Sequence, residues 1–185
     1  MNSNEVSLRE KKIKSEKLFK GRIIDLELDQ VELPNGKTAT REVIRHKGAV
    51  CIIPVLENGN IIMERQFRYP LDRVVLEIPA GKLEEGEEPE VCARRELCEE
   101  TGYYANELEY LGMMVGCPAL LDERIYMYAA YGLEKRETNF DEDEFLICEE
   151  IPFDTLIAMV MNGDIADAKT QIAVLKLNEK RRKNG

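Results

Sequence analysis

The chain has 185 residues, 44% of them hydrophobic, and a formal net charge of −10, which describes a globular protein with one well-buried core. The negative charge argues against nucleic acid as a partner, and no apolar stretch approaches the ~20 residues that span a bilayer. The polar N-terminus lacks the apolar core of a secretory signal. Five scattered cysteines and a single histidine offer little for a zinc or Cys/His site. We therefore expect a cytoplasmic protein with reduced thiols.

The N-terminal part predicts an arm followed by a hairpin. Residues 1–16 are charged, have no apolar stripe and are expected to form a loose or helical arm. Residues 17–33 alternate as in a strand, residues 34–36 (Pro-Asn-Gly) form a turn, and residues 37–45 supply the partner strand. An isolated hairpin is only marginally stable. The arm and hairpin, residues 1–45, therefore form either a small subdomain or, as we expect, a dimerisation element.

The remainder, residues 46–185, is expected to be one domain without repeats or linkers. Residues 48–56 form a continuous apolar run of strand length, and residues 60–69 and 74–79 also have strand character. Three strands before the first confident helix favour an α+β fold over repeated βαβ units. A helix is then expected to begin at Pro89 and to end at Gly102, because proline suits the first turn and glycine the C-terminal cap.

Three glutamates on this helix suggest a metal site. Glu96, Glu99 and Glu100 stand at positions i, i+3 and i+4, so their carboxylates share one helix face. Like charges at these spacings repel each other, and a divalent cation converts the repulsion into attraction. Carboxylate oxygens suit hard cations, so the pattern indicates Mg²⁺ or Mn²⁺.

The surrounding residues resemble a known family signature. The segment 81–103 is similar to the Nudix box, G-x5-E-x7-R-E-U-x-E-E-x-G-U, with every defined position filled from Gly81 through Glu87 and Arg95 to Tyr103. This resemblance implies an α/β/α sandwich on a mixed sheet, here preceded by the N-terminal antiparallel hairpin. It also implies hydrolysis of a nucleoside diphosphate linked to another group.

Further features resemble the ADP-ribose or ADP-sugar pyrophosphatase branch of that family. In this branch the N-terminal hairpin exchanges between protomers, which implies a homodimer. Arg68, at the end of a Gln-Phe-Arg segment, matches a substrate-contacting arginine, and Ala80 matches a residue that ligates metal through its carbonyl. Pro118 stands where ADP-ribose hydrolases carry a proline. Ala119 departs from the glycine of that turn, which affects the expected ribose pocket.

The resemblance implies a mechanism. Glu96, Glu99, Glu100 and the Ala80 carbonyl would hold the metal, and a water would attack one phosphorus. The branch takes its general base from an acidic loop, which matches residues 141–144 here, with Glu144 as our first choice and Glu142 as the second. Glu87 and Arg95 complete the catalytic set, because Arg95 can hold Glu99 at i+4 and Glu87 can fold back towards the helix. AMP and ribose 5-phosphate are the expected products.

The substrate is expected to be a small nucleotide sugar. Besides Arg68 and Pro118, we expect Arg65, Arg45 and Glu123 to contact it. Two alternatives remain open at this point. One is a Nudix hydrolase acting on another nucleoside diphosphate derivative, and the other is a non-catalytic ADP-ribose sensor, which would need a DNA-binding module for which residues 150–185 have no room.

Overall fold

The computed structural model describes residues 8–136 and 145–184, which divide into two compact units. The first unit comprises residues up to Lys47 together with Val115–Glu123, and the second comprises Gly48–Met114 and the described residues from Arg124 onwards. No helix in these ranges is long and apolar enough to cross a membrane.

The first unit is built on a three-stranded antiparallel sheet in the order β1-β2-β3. Strand β1 spans Lys11–Lys20, β2 spans Asp25–Glu32 and β3 spans Thr38–Arg45. The predicted hairpin corresponds to β2 and β3. The expected loose or helical arm is wrong from Lys11 onwards, because this segment forms a strand paired with β2.

Strand β1 lies at the edge of this sheet, and all ten of its residues are exposed. With no buried face, its sequence shows no alternation of apolar and polar residues, so the pattern that reveals most strands is missing. The continuous strand expected over residues 17–33 is also wrong. The chain turns between β1 and β2, where the N–H of Gly21 donates to the carbonyl of Ile24 at 2.8 Å.

The second unit contains seven strands, three α-helices and one short 3-10 helix (Tyr69–Leu71) within the described residues. The strands are β4 (Ala49–Pro54), β5 (Asn60–Arg68), β6 (Arg73–Glu77), β7 (Ala80–Lys82), β8 (Tyr103–Met114), β9 (Ile125–Lys135) and β10 (Leu146–Pro152). The helices are α1 (Pro89–Thr101), α2 (Phe153–Asn162) and α3 (Ala168–Asn184). The three strands and the first helix that the sequence predicts here are confirmed, whereas the short strand β7 was not expected.

These strands form two sheets. One is antiparallel, in the order β10-β5-β6, and the other is mixed, in the order β7-β4-β9-β8 with β4 and β9 parallel. Strand β4 is buried on both faces, which explains its continuous apolar sequence. Val50 and Ile52 pack with helix α1, and Cys51 and Ile53 pack in the core that includes α2 and α3. Helices therefore cover both faces of this sheet, as expected for an α/β/α sandwich.

Candidate active site

Helix α1 carries the glutamates of the acidic motif (residues 81–103) on one side. Its opposite, apolar side packs against the mixed sheet. The helix begins at Pro89 and ends where Gly102 adopts a left-handed conformation, with φ of 71°, which glycine reaches without steric cost. Cys92, Ala93 and Leu97 are fully buried against strands of the mixed sheet. The packing of this apolar side fixes the direction in which the polar residues of the motif project.

Arg95 links three carboxylates of the motif. Its Nε and Nη2 atoms each donate to Glu87 at 2.9 Å, and its Nη1 donates to both Glu96 and Glu99 at 2.9 Å. The hydrogen bond from Arg95 is the main reason why the pKa of Glu87 is lowered to about 2. Glu87 therefore stays ionised, and its paired hydrogen bonds hold the guanidinium in a fixed orientation.

The chain before α1 passes close to the same glutamates. The N–H of Ala80 donates to Oε2 of Glu100 at 3.0 Å, and the Glu100 side chain is buried. Gly81 has no room for a side chain, because a Cβ there would overlap the carboxyl group of Glu96. Strand β7 thus brings the backbone of Ala80 and Gly81 against two of the three glutamates.

The donor chemistry of this cluster fits a hard divalent cation. Three carboxylates and a backbone carbonyl offer only oxygen ligands, which Mg²⁺ and Mn²⁺ prefer. In the described part of the chain, no three side chains are yet arranged to hold a metal ion. Arg95 binds Oε1 of Glu96 and Oε2 of Glu99 in this structure, so the guanidinium holds both carboxylates on its own side of the helix.

The two expected general bases, Glu142 and Glu144, lie outside the described residues. Both flanks of that segment are attached to elements near the motif. On one side the N–H of Arg136 donates to the carbonyl of Gly102 at 2.6 Å, and on the other Leu146 pairs with Gln66 of β5. The choice between the two glutamates stays a prediction.

Arg68 and Arg65 both lie on β5 and have different environments. The Nε of Arg68 donates to Glu77 at 2.7 Å. Burial lowers the pKa of Arg68, but the hydrogen bond that Arg68 donates to Glu77 and the charges of Glu77, Glu64 and Glu100 outweigh it, so the pKa is raised. Arg68 is therefore electrostatically coupled to the motif. Arg65 instead pairs with Glu149 on the neighbouring strand β10, at 2.7 Å.

Arg45 lies in the first unit and binds three carboxylates. Its Nε donates to Glu27 at 2.9 Å, its Nη2 to Asp29 at 2.8 Å and its Nη1 to Asp122 at 3.2 Å. The hydrogen bond with Glu27 is the largest reason why the pKa of Arg45 is raised. Each donor nitrogen of this predicted substrate contact thus already has a partner within the unit.

Pro118 and Glu123 lie on the segment Val115–Glu123 of the same unit. Pro118 is exposed in a turn closed by the N–H of Leu121, which donates to the carbonyl of Cys117 at 2.8 Å. Glu123 is partly buried, with its carboxylate 3.4 Å from Nδ1 of His46. These two residues and Arg45 are therefore brought together by one unit of the fold.

Sequence reasoning missed a buried charged network beside Arg68. Glu77 is 2% exposed, accepts from Arg68 and Lys169, and lies directly opposite the fully buried Glu64 on β5. Lys169 also pairs with Asp167 at 3.2 Å. A glutamate inside the otherwise apolar strand segment 74–79 is the signal that could have identified this network, since buried carboxylates need partners.

Two family models together match most of the chain. The NUDIX domain model matches residues 45–171, and the model of the nucleoside diphosphate sugar hydrolase N-terminal domain matches residues 10–44.

Proteins similar to this chain carry several different names. The methanol dehydrogenase activator of Bacillus methanolicus is 47% identical over 174 residues, which cover 92% of this chain and 94% of that protein. The ADP-ribose pyrophosphatase of Bacillus subtilis (strain 168) is 46% identical over 178 residues, covering 94% and 95%. The ADP-ribose pyrophosphatase of Mycobacterium tuberculosis is 36% identical over 169 residues, covering 90% and 82%.

A solved structure supports the fold. The crystal structure of an ADP compounds hydrolase superposes with a TM-score of 0.85 and 23% identity, covering 96% of this chain and 97% of that one. The motif geometry, the two family models and the identity to full-length relatives agree. The chain belongs to the Nudix family and carries the N-terminal domain of nucleoside diphosphate sugar hydrolases.

Proposed function

We propose that this chain hydrolyses the pyrophosphate of ADP-ribose, or of a closely related ADP-sugar, to AMP and a sugar 5-phosphate. The observation that carries the proposal is the cluster in which Arg95 gathers Glu87, Glu96 and Glu99 beside the contact between Glu100 and Ala80. Two of the relatives described above are named ADP-ribose pyrophosphatases. An intact carboxylate cluster supports turnover over a role as a non-catalytic sensor.

The metal is proposed to be Mg²⁺ or Mn²⁺, held by Glu96, Glu99, Glu100 and the carbonyl of Ala80. When bound, it would neutralise and polarise the pyrophosphate. Arg95 keeps the Glu96 and Glu99 carboxylates on one side of α1, and Glu100 is held against β7 by the N–H of Ala80. The chain thus supplies a set of oxygen ligands for the cation on helix α1 and strand β7.

Proton transfer requires a base within hydrogen-bond reach of the attacking water. Glu144 is proposed for this role and Glu142 is the second choice, following the resemblance of the acidic run before β10. Glu87 acts at a distance from this step, because its two hydrogen bonds hold Arg95 and so keep the Glu96 and Glu99 carboxylates in place.

Substrate binding is proposed to depend first on Arg68. Glu77 holds its Nε, which leaves the two Nη atoms to form the paired hydrogen bonds that arginine makes with phosphate. Further contacts are proposed, on the strength of the resemblance, for Arg65, Arg45, Glu123 and Pro118.

We also propose that the protein acts as a homodimer in the cytoplasm. The N-terminal sheet exposes apolar side chains, including Ile13, Leu18 and Phe19, which a second copy could cover. The cytoplasm is proposed because the five cysteines are scattered along the sequence and include no closely spaced pair. Light scattering coupled to gel filtration measures the mass in solution, and a monomer at micromolar concentration would contradict the dimer.

A substrate panel with Mg²⁺ tests the activity directly. It comprises ADP-ribose, ADP-glucose, GDP-mannose, diadenosine polyphosphates and oxidised dGTP, with products identified by chromatography. We expect the highest kcat/KM with ADP-ribose and the release of AMP. GDP-mannose is the sharpest competitor, because a Yersinia enterocolitica relative with 36% identity over 140 residues is named a GDP-mannose pyrophosphatase. Absence of turnover with every compound would contradict the proposal.

A second candidate function is activation of a methanol dehydrogenase. The chain is 47% identical to the Bacillus methanolicus activator and 46% identical to the Bacillus subtilis pyrophosphatase. These nearly equal identities favour neither relative's activity over the other, so activation is a second candidate. The rate of a purified methanol dehydrogenase is measured with and without this protein. Glu100→Gln serves as a matched variant: activation by the wild type and not by this variant would show that activation uses the motif.

A further inference from the structure

The chain passes from one sheet of the second unit to the other between strands β6 and β7. Strand β6 ends at Glu77 in the antiparallel sheet and β7 begins at Ala80 in the mixed sheet, so Ile78 and Pro79 form the connection. Both connection residues are buried, and Ala80, the proposed carbonyl ligand of the metal, follows them directly. The position of the connection therefore determines where the backbone of Ala80 lies.

The polar backbone groups of the connection are bound by two other elements. The carbonyl of Pro79 accepts from the N–H of Ile52 on β4 at 2.9 Å. The N–H of Ile78 donates to Oγ1 of Thr170, in the first turn of helix α3, at 3.0 Å. A buried N–H that loses its acceptor destabilises the structure, because no water replaces the lost hydrogen bond. A side chain 92 positions later in the sequence thus holds the backbone of the connection.

The hydroxyl group of Thr170 is held in one orientation. Thr170 is fully buried, and its Oγ1 donates to Oδ2 of Asp167 at 2.6 Å. The same oxygen caps the helix by accepting the N–H of Thr170 at 2.9 Å. A hydroxyl has one proton, so donating it to Asp167 leaves the lone pairs of Oγ1 for the N–H of Ile78. The first turn of α3 therefore presents an oriented acceptor to the connection.

The neighbouring residue of α3 strengthens this attachment. Lys169 donates to Glu77 and also pairs with Asp167 at 3.2 Å. Two consecutive residues of α3, 169 and 170, therefore hold the two consecutive residues 77 and 78. Two adjacent contacts restrict the backbone more than one, because the chain cannot pivot about a single hydrogen bond. Since Asp167 contacts both Lys169 and Thr170, the capped turn forms one hydrogen-bonded support.

We propose that Thr170 is a positioning residue of the metal site, which acts through the N–H of Ile78 to fix the backbone that carries the Ala80 carbonyl. A shift of this backbone would also affect a second proposed ligand, because the N–H of Ala80 donates to Glu100. Replacing residues that support metal ligands typically weakens metal binding or activity about 10- to 100-fold. The inference rests on the metal site of the proposed function.

Binding of Mn²⁺ to the metal-free full chain, without substrate, tests this role. Electron paramagnetic resonance measures the free Mn²⁺. Thr170→Val removes the hydroxyl and is expected to weaken Mn²⁺ binding about tenfold, whereas Thr170→Ser keeps the hydroxyl and should bind like the wild type. Gln171→Met is the matched control, because Gln171 donates to the carbonyl of Ile165 from the same turn of α3. Its Mn²⁺ affinity is expected to equal that of the wild type.

Three results of this titration would overturn the positioning role. They are equal Mn²⁺ affinity of Thr170→Val and the wild type, a loss in Gln171→Met as large as that in Thr170→Val, and no saturable Mn²⁺ binding by the wild type. The second result would show that the loss follows from weaker packing of α3 and not from the contact with Ile78.

Hydrogen exchange of the wild type gives a test that does not depend on the folding of a variant. Coupling between two sites is reciprocal, so if the hydrogen bond from Ile78 to Thr170 favours metal binding, the metal must favour that hydrogen bond. Saturating Mg²⁺ is expected to slow exchange at the Ile78 amide about tenfold more than at the amide of Val174, which is buried in α3. Equal slowing at the two amides would contradict the coupling.

The outcomes separate this inference from the proposed function. Hydrolysis of ADP-ribose by the wild type, together with full Mn²⁺ affinity of Thr170→Val, would overturn only the positioning role. Weaker Mn²⁺ binding by Thr170→Val, together with a wild type that turns over no compound of the substrate panel, would contradict the proposed function and leave the positioning role standing.

Discussion

The guanidinium of Arg45 binds the carboxylate of Asp122 across 77 positions of the sequence, at 3.2 Å. The same carboxylate accepts from the N–H of His46 at 2.8 Å, and Ile44 forms a parallel bridge with Leu121. The segment Val115–Glu123 is therefore attached to strand β3 by side-chain and backbone contacts. The proposed sugar-contacting residues Pro118 and Glu123 thus depend on the N-terminal sheet for their placement.

Replacing Asp122 with alanine is expected to loosen this segment. The change removes the acceptor for Arg45 and for the N–H of His46, which costs about 1–2 kcal/mol. Hydrogen exchange at the amides of Ile44 and His46 is expected to become roughly five- to tenfold faster. Asp25→Ala is the matched control, since Asp25 pairs with Lys17 in the same sheet and does not contact the segment. Exchange rates equal to those of the control would contradict the role of Asp122.

Gly81→Ala is expected to lower activity strongly while leaving the fold intact. The new methyl group would occupy the space of the Glu96 carboxyl group and displace it from the cluster. A misplacement of about 1 Å in a catalytic group can cost about 100-fold in rate, so we expect kcat/KM to fall by that order. Gly116→Ala is the control, because a Cβ on Gly116 meets no atom within 4 Å. Full activity of Gly81→Ala would show that catalysis does not depend on the position of the Glu96 carboxylate in this structure.

Removal of the metal and removal of one ligand are expected to have the same effect. Chelation with EDTA should abolish hydrolysis, and added Mg²⁺ or Mn²⁺ should restore it. Glu100→Gln is expected to lower the rate about 100-fold or more and to raise the metal concentration needed for half-activity. Glu90→Gln, on the exposed first turn of the same helix, should behave like the wild type. Full activity of Glu100→Gln would contradict its assignment as a ligand.

Stability should depend on pH through Glu87. Its pKa is about 2 in the folded chain, because of the hydrogen bond from Arg95, and about 4.5 when unperturbed. Between these values the unfolded chain binds more protons, so the stabilisation is complete above about pH 4.5 and is lost as the pH falls towards 2. Urea unfolding of Glu87→Gln at pH 7 should show a loss of about 1–2 kcal/mol.

The pH series separates this effect from a general loss of packing. The difference between the wild type and Glu87→Gln should shrink as the pH is lowered from 5 towards 2, since Glu87 then takes up a proton in the unfolded wild-type chain before it does so in the folded chain. Glu90→Gln should differ from the wild type by little at any pH. A difference for Glu87→Gln that stays constant over this range would exclude the ion pair as its cause.

The motif could be predicted in detail from the sequence because its determinants are local. Proline and glycine mark the two ends of helix α1, and the spacing of Glu96, Glu99 and Glu100 fixes their common face. The contact of Glu100 with Ala80 follows the same pattern, since the segment from β7 to α1 is short. The order of strands in residues 48–79 was also predictable, because apolar runs bounded by turns define it.

Contacts between distant residues could not be predicted in this way. Glu77 and Lys169 are 92 positions apart, and Arg45 and Asp122 are 77 apart, so no local pattern encodes either pair. The sequence suggests Arg45 as a substrate contact, but it does not show which carboxylates pair with this arginine in the folded chain. Strand β1 was missed for another reason, since a strand with no buried face has no apolar period.

The exposed edge strand β1 also has a consequence for handling the protein in solution. Edge strands offer unpaired backbone groups to other chains, and lysine side chains oppose such pairing. Five of the ten residues of β1 are lysines. Chemical labels that keep the lysine charge, such as methyl groups, should leave the protein soluble, whereas acetylation removes the charge and is expected to promote aggregation. Measurement of light scattering after each modification would compare the two.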